Sequence, residues 1–266
     1  MNRFSLNHAT TKYWDQDEAI DACARENVGI GLWREPVAAK GLENTARRVR
    51  DSGVTVTSLC RGGFLTTGAP QALDDNRRAI DEAAALGAGE LVVVCGGLPE
   101  GSRDIDAARR AVADALGALA PYAVESGVRL AVEPLHPMFA SDRCVISTLD
   151  QALDVAESFT PEAVGVVVDT YHVWWDPNVY AAIARAAGRI ASFQVADWIT
   201  PLPAGVLTGR GQLGDGCVEF RRLRDAVDAA GYSGHIEVEI FNDTIWSHPG
   251  PDVFAETLRR YREHVA

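Results

Sequence analysis

Short apolar runs of strand length alternate with stretches of helical periodicity along the whole chain. The runs fall at Arg3–Asn7, Val28–Trp33, Val54–Cys60, Glu90–Cys95, Val128–Glu133, Val164–Asp169, Ile190–Val195 and His235–Ile240. Most are rich in Val and Ile and bounded by Gly or Pro, the pattern of parallel strands buried on both faces. Between them lie helical segments such as Asp104–Glu125, where Ile105, Ala108, Val112, Leu116, Leu119 and Ala123 recur at three- to four-residue spacing. Helix starts are marked as well. Asp15 with Glu18 makes a capping-box-like pair, and Ser102 is the expected cap after Pro99-Glu-Gly. Eight β/α alternations in 266 residues average about 33 residues each, near the minimum for a crossover unit. No Gly-x-Gly-x-x-Gly turn follows the first run, and the similar Gly209-Arg-Gly-Gln-Leu-Gly comes late and after no strand. The pattern predicts an α/β chain folded as a single (β/α)8 TIM barrel over residues 1–266. Its chemistry is then expected at the carboxyl ends of the strands.

Charge narrows the partners. With 25 Lys and Arg against 37 Asp and Glu, the chain carries a formal charge of −12. Such a surface repels phosphate backbones and anionic lipid, so neither nucleic acid nor a membrane is expected, and a small neutral metabolite suits the overall balance. A local basic site is not excluded by a global sum. The five cysteines stand singly with no Cys-x-x-Cys, which suits reduced thiols. The longest apolar runs fall far short of the eighteen or so residues of a membrane span. The opening MNRFSLNHATTKYW lacks an apolar stretch of signal-peptide length, so a cytoplasmic location is expected. A homo-oligomer is compatible with all of this.

Polar residues collect where the later strands stop. The fifth ends in Glu133, followed by Pro134-Leu-His136-Pro137; the sixth ends in Asp169, followed by Thr170-Tyr171-His172. The seventh reads Ser192-Phe-Gln194-Val-Ala-Asp197-Trp198, and the eighth His235-Ile-Glu237-Val-Glu239-Ile. Alternation along the eighth turns Ile236, Val238 and Ile240 toward a helix layer and His235, Glu237 and Glu239 into the barrel. Inward carboxylates without partners cost several kcal/mol or protonate. A shared divalent cation resolves the conflict.

These segments resemble the sugar isomerase/epimerase superfamily built on a xylose-isomerase-like barrel. The carrying motifs are Ala131-Val-Glu133-Pro-Leu-His136, Val168-Asp169-Thr-Tyr-His172, Gln194-Val-Ala-Asp197-Trp198 and Gly231-Tyr-Ser-Gly234-His-Ile-Glu-Val-Glu239. Gly209-Arg210-Gly211-Gln-Leu-Gly214-Asp-Gly216 resembles the family's loop after strand seven. The likeness is close in the second half; the first half shares only the strand–helix rhythm. It implies a metal site of Glu133, Asp169, position 194 and Glu239, where many members have His at the third position and this chain has Gln194. An all-oxygen set favours Mn²⁺ or Mg²⁺, with Co²⁺ and Zn²⁺ as alternatives. The same departure is compatible with a lost metal site.

The activity implied is isomerisation or epimerisation of a ketose- or polyol-type sugar, with Glu133 and Glu239 as acid and base and the cation holding the charge of an enediolate. A lyase acting on a keto-sugar or inosose starts from the same proton abstraction, and a sugar-binding barrel without catalysis is the third alternative. By resemblance His172 binds a substrate hydroxyl and Arg210 orients a substrate oxygen. Among the remaining residues, His136, Trp174 and Arg61 are candidates for substrate contact, and Asp197 for orienting Gln194 or His172 or for capping a loop. Cys60 reads as an inert buried thiol.

Overall fold

Parallel strands close on themselves in the order expected from the alternation. In the computed structural model, which describes residues 3–203 and 205–266, eight strands form a closed barrel. They are β1 (Phe4–Asn7), β2 (Gly29–Trp33), β3 (Val56–Gly63), β4 (Glu90–Val94), β5 (Arg129–Val132), β6 (Val164–Asp169), β7 (Ile190–Val195) and β8 (Ile236–Val238). Each pairs in parallel with its sequence neighbours, and β8 closes on β1 through Phe4–Ile236, Ser5–Glu237 and Leu6–Val238. The chain is therefore a single (β/α)8 barrel.

Strand alternation divides the apolar residues into two cores. The larger lies between barrel and helices and takes the outward faces, such as Val166 and Val168 of β6 and Ile236 and Val238 of β8. The smaller fills the barrel with Cys60, Val92, Ala131, Val167 and Ala191. These are compact side chains from five successive strands, as a narrow interior requires. Glycines make room where larger groups enter. A Cβ on Gly31 of β2 would stand 2.6 Å from the Glu237 carboxyl carbon.

The expected helix cap holds at Asp15 and shifts by two residues at the long fifth-unit helix. Asp15 caps its helix by accepting from the backbone N–H of Asp17 and Glu18. The long fifth-unit helix spans Ile105–Glu125, and its cap is Asp104, which accepts from the Ala107 N–H, rather than Ser102. Ser102 instead accepts from the Asp104 N–H one step earlier. Strand β3 runs on to Gly63, three residues past the apolar run, so Arg61 lies within the strand rather than after it. Strands β5 and β8 stop at Val132 and Val238, leaving Glu133 and Glu239 one residue beyond the ladder. No helix among the described residues is long and apolar enough to cross a membrane.

Candidate active site

At the carboxyl end of the barrel, the later strands bring their terminal polar residues together under one cavity of about 140 Å³. Glu133, His172, Arg210 and Glu239 line it, and Asp169 and Gln194 are fully buried beneath. Asp169 and Gln194 are register partners on β6 and β7, and Gln194 is in turn the partner of Glu237 on β8. Adjacent strands in register thus deliver adjacent side chains to one level of the barrel.

Arg210 is the cation at the centre. Its Nη1 lies 2.9 Å from Asp169 Oδ2 and 3.0 Å from Glu239 Oε2, and also donates to the Glu239 carbonyl. The guanidinium lies over the rings of Tyr171 and Phe241, 4.8 and 5.1 Å from their centroids. Its position depends on a short antiparallel ribbon outside the barrel, Asp197–Trp198 with Arg210–Gly211. Asp197 ties that loop by accepting from the N–H groups of Gly214, Gly216 and Val218. Asp197 is thus the loop organiser and makes no hydrogen bond to Gln194 or His172.

The carboxyl groups are under strain in their charged forms. Burial, then Glu239 and Asp169 nearby, pushes the Glu133 carboxyl well above its ordinary value. Burial pushes Glu239 up to about 8 against the opposing pull of Arg210. Asp169 is also raised by burial, with Arg210 and the Tyr171 N–H opposing it. Burial works against the charge on Arg210, yet Asp169, Glu239 and Glu133 outweigh it and raise its pKa. His172 goes the other way: burial, Arg210 and His136 hold it well below the usual imidazole range. Its Nδ1 faces the fixed backbone N–H of His136 at 3.1 Å, and its Nε2 is 3.1 Å from Arg210 Nη2. A neutral ring has one lone pair to accept with. Both ring nitrogens face an N–H donor, His136 at Nδ1 and Arg210 at Nε2, and a neutral ring accepts from one of them at a time; Nε2 is also 3.7 and 4.0 Å from the Asp169 and Glu133 carboxylates.

At the floor of the cavity two buried oxygens, Glu133 Oε1 and Gln194 Oε1, remain without a hydrogen-bond partner among the described residues; Gln16 Oε1 and Gln212 Oε1 are in the same condition elsewhere. Gln194 donates through Nε2 to Glu237 Oε1, 3.2 Å away, an arrangement that leaves its carbonyl oxygen free. Glu237 is itself saturated, accepting from Asn7 Nδ2 at 2.7 Å, Thr57 Oγ1 at 2.6 Å and Ser58 Oγ at 2.9 Å. Asn7 also donates to Glu239 Oε1 at 3.0 Å. Donor atoms of Glu133, Asp169 and His172 all lie within 4.8 Å of one another, close enough to share a cation.

Not every expected contact residue reaches the cavity. Arg61 and Trp33 line it, whereas His136 and Trp174 are not among the lining residues. The His136 ring stacks on Trp198 at 5.0 Å and meets Trp175 edge-on; Trp174 packs against Trp198 at 5.4 Å. His136 contributes its backbone N–H to His172 instead. Cys60 lines the cavity, but burial and three nearby glutamates raise its thiol pKa, which suits an unreactive side chain. Sequence reasoning missed Asn7, Arg143 and Phe241. Asn7 ends β1 and so carried the same strand-end signal as the acids, without their charge.

The xylose isomerase-like TIM barrel profile matches residues 16–264, and the chain belongs to that family. It is similar to the inosose isomerase of Bacillus subtilis (strain 168), 25% identical over 136 residues, which is 50% of this chain and 47% of that protein. The chain thus matches about half the length of the curated relatives. Among solved structures it is similar to protein SMc04130 from Sinorhizobium meliloti 1021, with 46% identity, a TM-score of 0.95 and coverage of 99% of this chain and 98% of that one. The IOLI protein, solved with a zinc atom, shares the fold at a TM-score of 0.84 and 18% identity, covering 99% of this chain and 98% of its own.

Proposed function

We propose that this barrel is a divalent-metal-dependent carbohydrate isomerase or epimerase, moving a proton to and from a carbon beside a carbonyl. One observation carries the reading. Three buried carboxyl groups, Glu133, Asp169 and Glu239, meet at one cavity with a single buried guanidinium among them. If all three are ionised and His172 is neutral, two negative charges remain, the deficit a divalent cation fills. The donor set fits such an ion on independent grounds, because Glu133 Oε1 and Gln194 Oε1 are buried without partners.

Glu133 and Asp169 would hold the ion, with Gln194 and Glu239, which stand outside the cluster that those two form with His172, completing an oxygen set. His172 is the less suitable ligand, since its Nδ1 faces the His136 N–H and its Nε2 faces the Arg210 guanidinium. Oxygen donors throughout favour Mn²⁺ or Mg²⁺ over Zn²⁺. When bound, the cation supplies positive charge for the oxyanion that develops as the α-proton leaves. Glu133 and Glu239 both line the cavity, so one can take the proton as a base while the other returns one as an acid. Arg210 locks Asp169 and Glu239 in place and meets His172 Nε2 at 3.1 Å. The inosose isomerase relative supports a cyclic or open polyhydroxy ketone as the substrate.

Solvent-deuterium exchange into a panel of ketoses and inososes tests the reaction. Wild type washes deuterium into the carbon beside the carbonyl, and Glu133→Gln and Glu239→Gln do not; full exchange in both variants overturns the acid–base assignment. Elemental analysis of protein purified without chelator should find about one Mn, Mg, Co or Zn per chain. Gln194→His should shift preference toward Zn²⁺, and an unchanged preference removes Gln194 from the ligand set.

A further inference from the structure

The two glutamates assigned to proton transfer are not held alike. Glu133 keeps one oxygen, Oε1, without a hydrogen-bond partner among the described residues. Glu239 is gripped at both: Oε2 lies 3.0 Å from Arg210 Nη1, and Oε1 accepts from Asn7 Nδ2 at 3.0 Å. One contact lets a carboxyl group pivot about it; the second removes that freedom. Asn7 ends β1 and is fully buried. Its amide has one orientation only. Oδ1 accepts from two groups that can only donate, the Trp33 indole N–H at 2.7 Å and the Ala9 backbone N–H at 3.0 Å. Nδ2 faces Oε1 of both Glu239 and Glu237, the latter at 2.7 Å. A half-turn of the amide sets N–H against N–H and oxygen against carboxylate, leaving buried groups unpaired at about 1–3 kcal/mol each. Trp33 also belongs to the cavity wall, where its ring meets Phe241 edge-on with centroids 5.5 Å apart. A single amide therefore lies between a wall side chain and the Glu239 carboxyl.

We propose that Asn7 is a positioning residue that aims the Glu239 carboxyl, and that the Trp33 N–H sets this aim, so a ligand seated against the Trp33 wall is sensed at the group that moves the proton. This rests on Glu239 acting in the proton transfer proposed above. Asn7 is not among the residues lining the cavity, and its effect passes through Glu239. Aim matters because a shift of about 1 Å at a reacting group costs about 10²-fold in rate.

Nuclear magnetic resonance of ¹⁵N-labelled, metal-free protein tests the linkage without any substrate. The Trp33 indole N–H signal is assigned by its loss in Trp33→Phe. Glu239→Gln should move that signal by more than its linewidth, and Glu133→Gln, whose side chain does not touch Asn7, should leave it in place. In an Asn7→Ala background Glu239→Gln should no longer move it. Should Asn7→Ala fail to fold, the contrast between the two glutamine variants still decides. A Trp33 signal indifferent to Glu239→Gln, or moved equally by Glu133→Gln or without Asn7, overturns the proposal. Kinetics on the best ketose or inosose from the exchange panel then separates aim from wall contact. Trp33→Phe keeps a ring in the wall but removes the N–H, so kcat should fall about tenfold with KM within about twofold, in protein that thermal melting shows folded. A raised KM with unchanged kcat makes Trp33 a wall contact alone and also overturns the proposal. A barrel that exchanges deuterium with no ketone fails the isomerase reading, while the resonance comparison still shows whether Asn7 ties Glu239 to Trp33.

Discussion

The two halves of the barrel are alike in backbone and opposite in chemistry. Strands β5 to β8 end in or just before Glu133, Asp169, Gln194 and Glu239 and build an acidic floor. Strands β1 to β4 end near Asn7, Trp33, Gly63 and Val94, and supply amide, aromatic and aliphatic wall with Arg61 at the rim. One half carries the clustered carboxyl groups, and the other lines the cavity mostly with uncharged side chains. The link between them is Glu237, which rises from β8 yet is held by Asn7, Thr57 and Ser58 from the first half. The barrel interior is where a residue from either half can fix one from the other.

Four perturbations sharpen or break that division. The largest effect belongs to the floor: Glu133→Gln or Glu239→Gln should lower the exchange rate by about 10²–10⁴ with little change in fold, measured by deuterium incorporation. Arg210→Met comes next. It leaves Asp169 and Glu239 buried without their cation and should cost about 3–5 kcal/mol in chelated protein by urea unfolding. Added Mn²⁺ should recover part of this loss, and no loss at all would mean that the floor is neutral without Arg210.

Gly31→Ala tests the link between the halves. The new methyl would meet a carboxyl group that four hydrogen bonds hold in place, so a cost of about 1–3 kcal/mol is expected, with weaker metal binding because Glu237 orients Gln194. A neutral result would show that Glu237 can move aside freely.

The fourth perturbation is pH. Burial raises Glu133 and brings Glu239 up to about 8, so the folded protein binds protons there more tightly than the unfolded chain does. That stabilisation is fully present below the unfolded value near 4.5 and is lost as pH rises through about 8. Chelated protein should therefore melt lower as pH climbs from about 5 to about 8.5, by up to about 1.4 kcal/mol per unit for each proton. Saturating Mn²⁺ should flatten the slope, because the ion takes the place of the protons.

Much of the site was legible because it is carried by strand ends. Glu133, Asp169, Gln194 and Glu239 each stand within one residue of a strand end in four consecutive βα units, and alternation along β8 already turns Glu237 and Glu239 inward. Arg210 was legible only through its motif, since no periodicity governs a loop. His136 and Trp174, expected as substrate contacts, stand beside the cavity rather than in its lining, because closeness in sequence to a strand end does not tell which way a loop side chain turns. His136 turns onto Trp198, where aromatic stacking is available.

By itself, the sequence determined the barrel, its eightfold rhythm and the acidic character of the later strand ends. These follow from periods of two and 3.6 residues and from where apolar runs stop, which are properties of adjacent residues. Only the tertiary structure decided that Arg210 sits between Asp169 and Glu239, that Glu237 is satisfied from across the barrel, and that Arg61 lines the same cavity as Glu133 and Glu239. Those outcomes join residues up to 230 positions apart in the chain, as in the hydrogen bond from Asn7 to Glu237. Closure of the sheet brings such residues together, and no local pattern encodes which of them will touch.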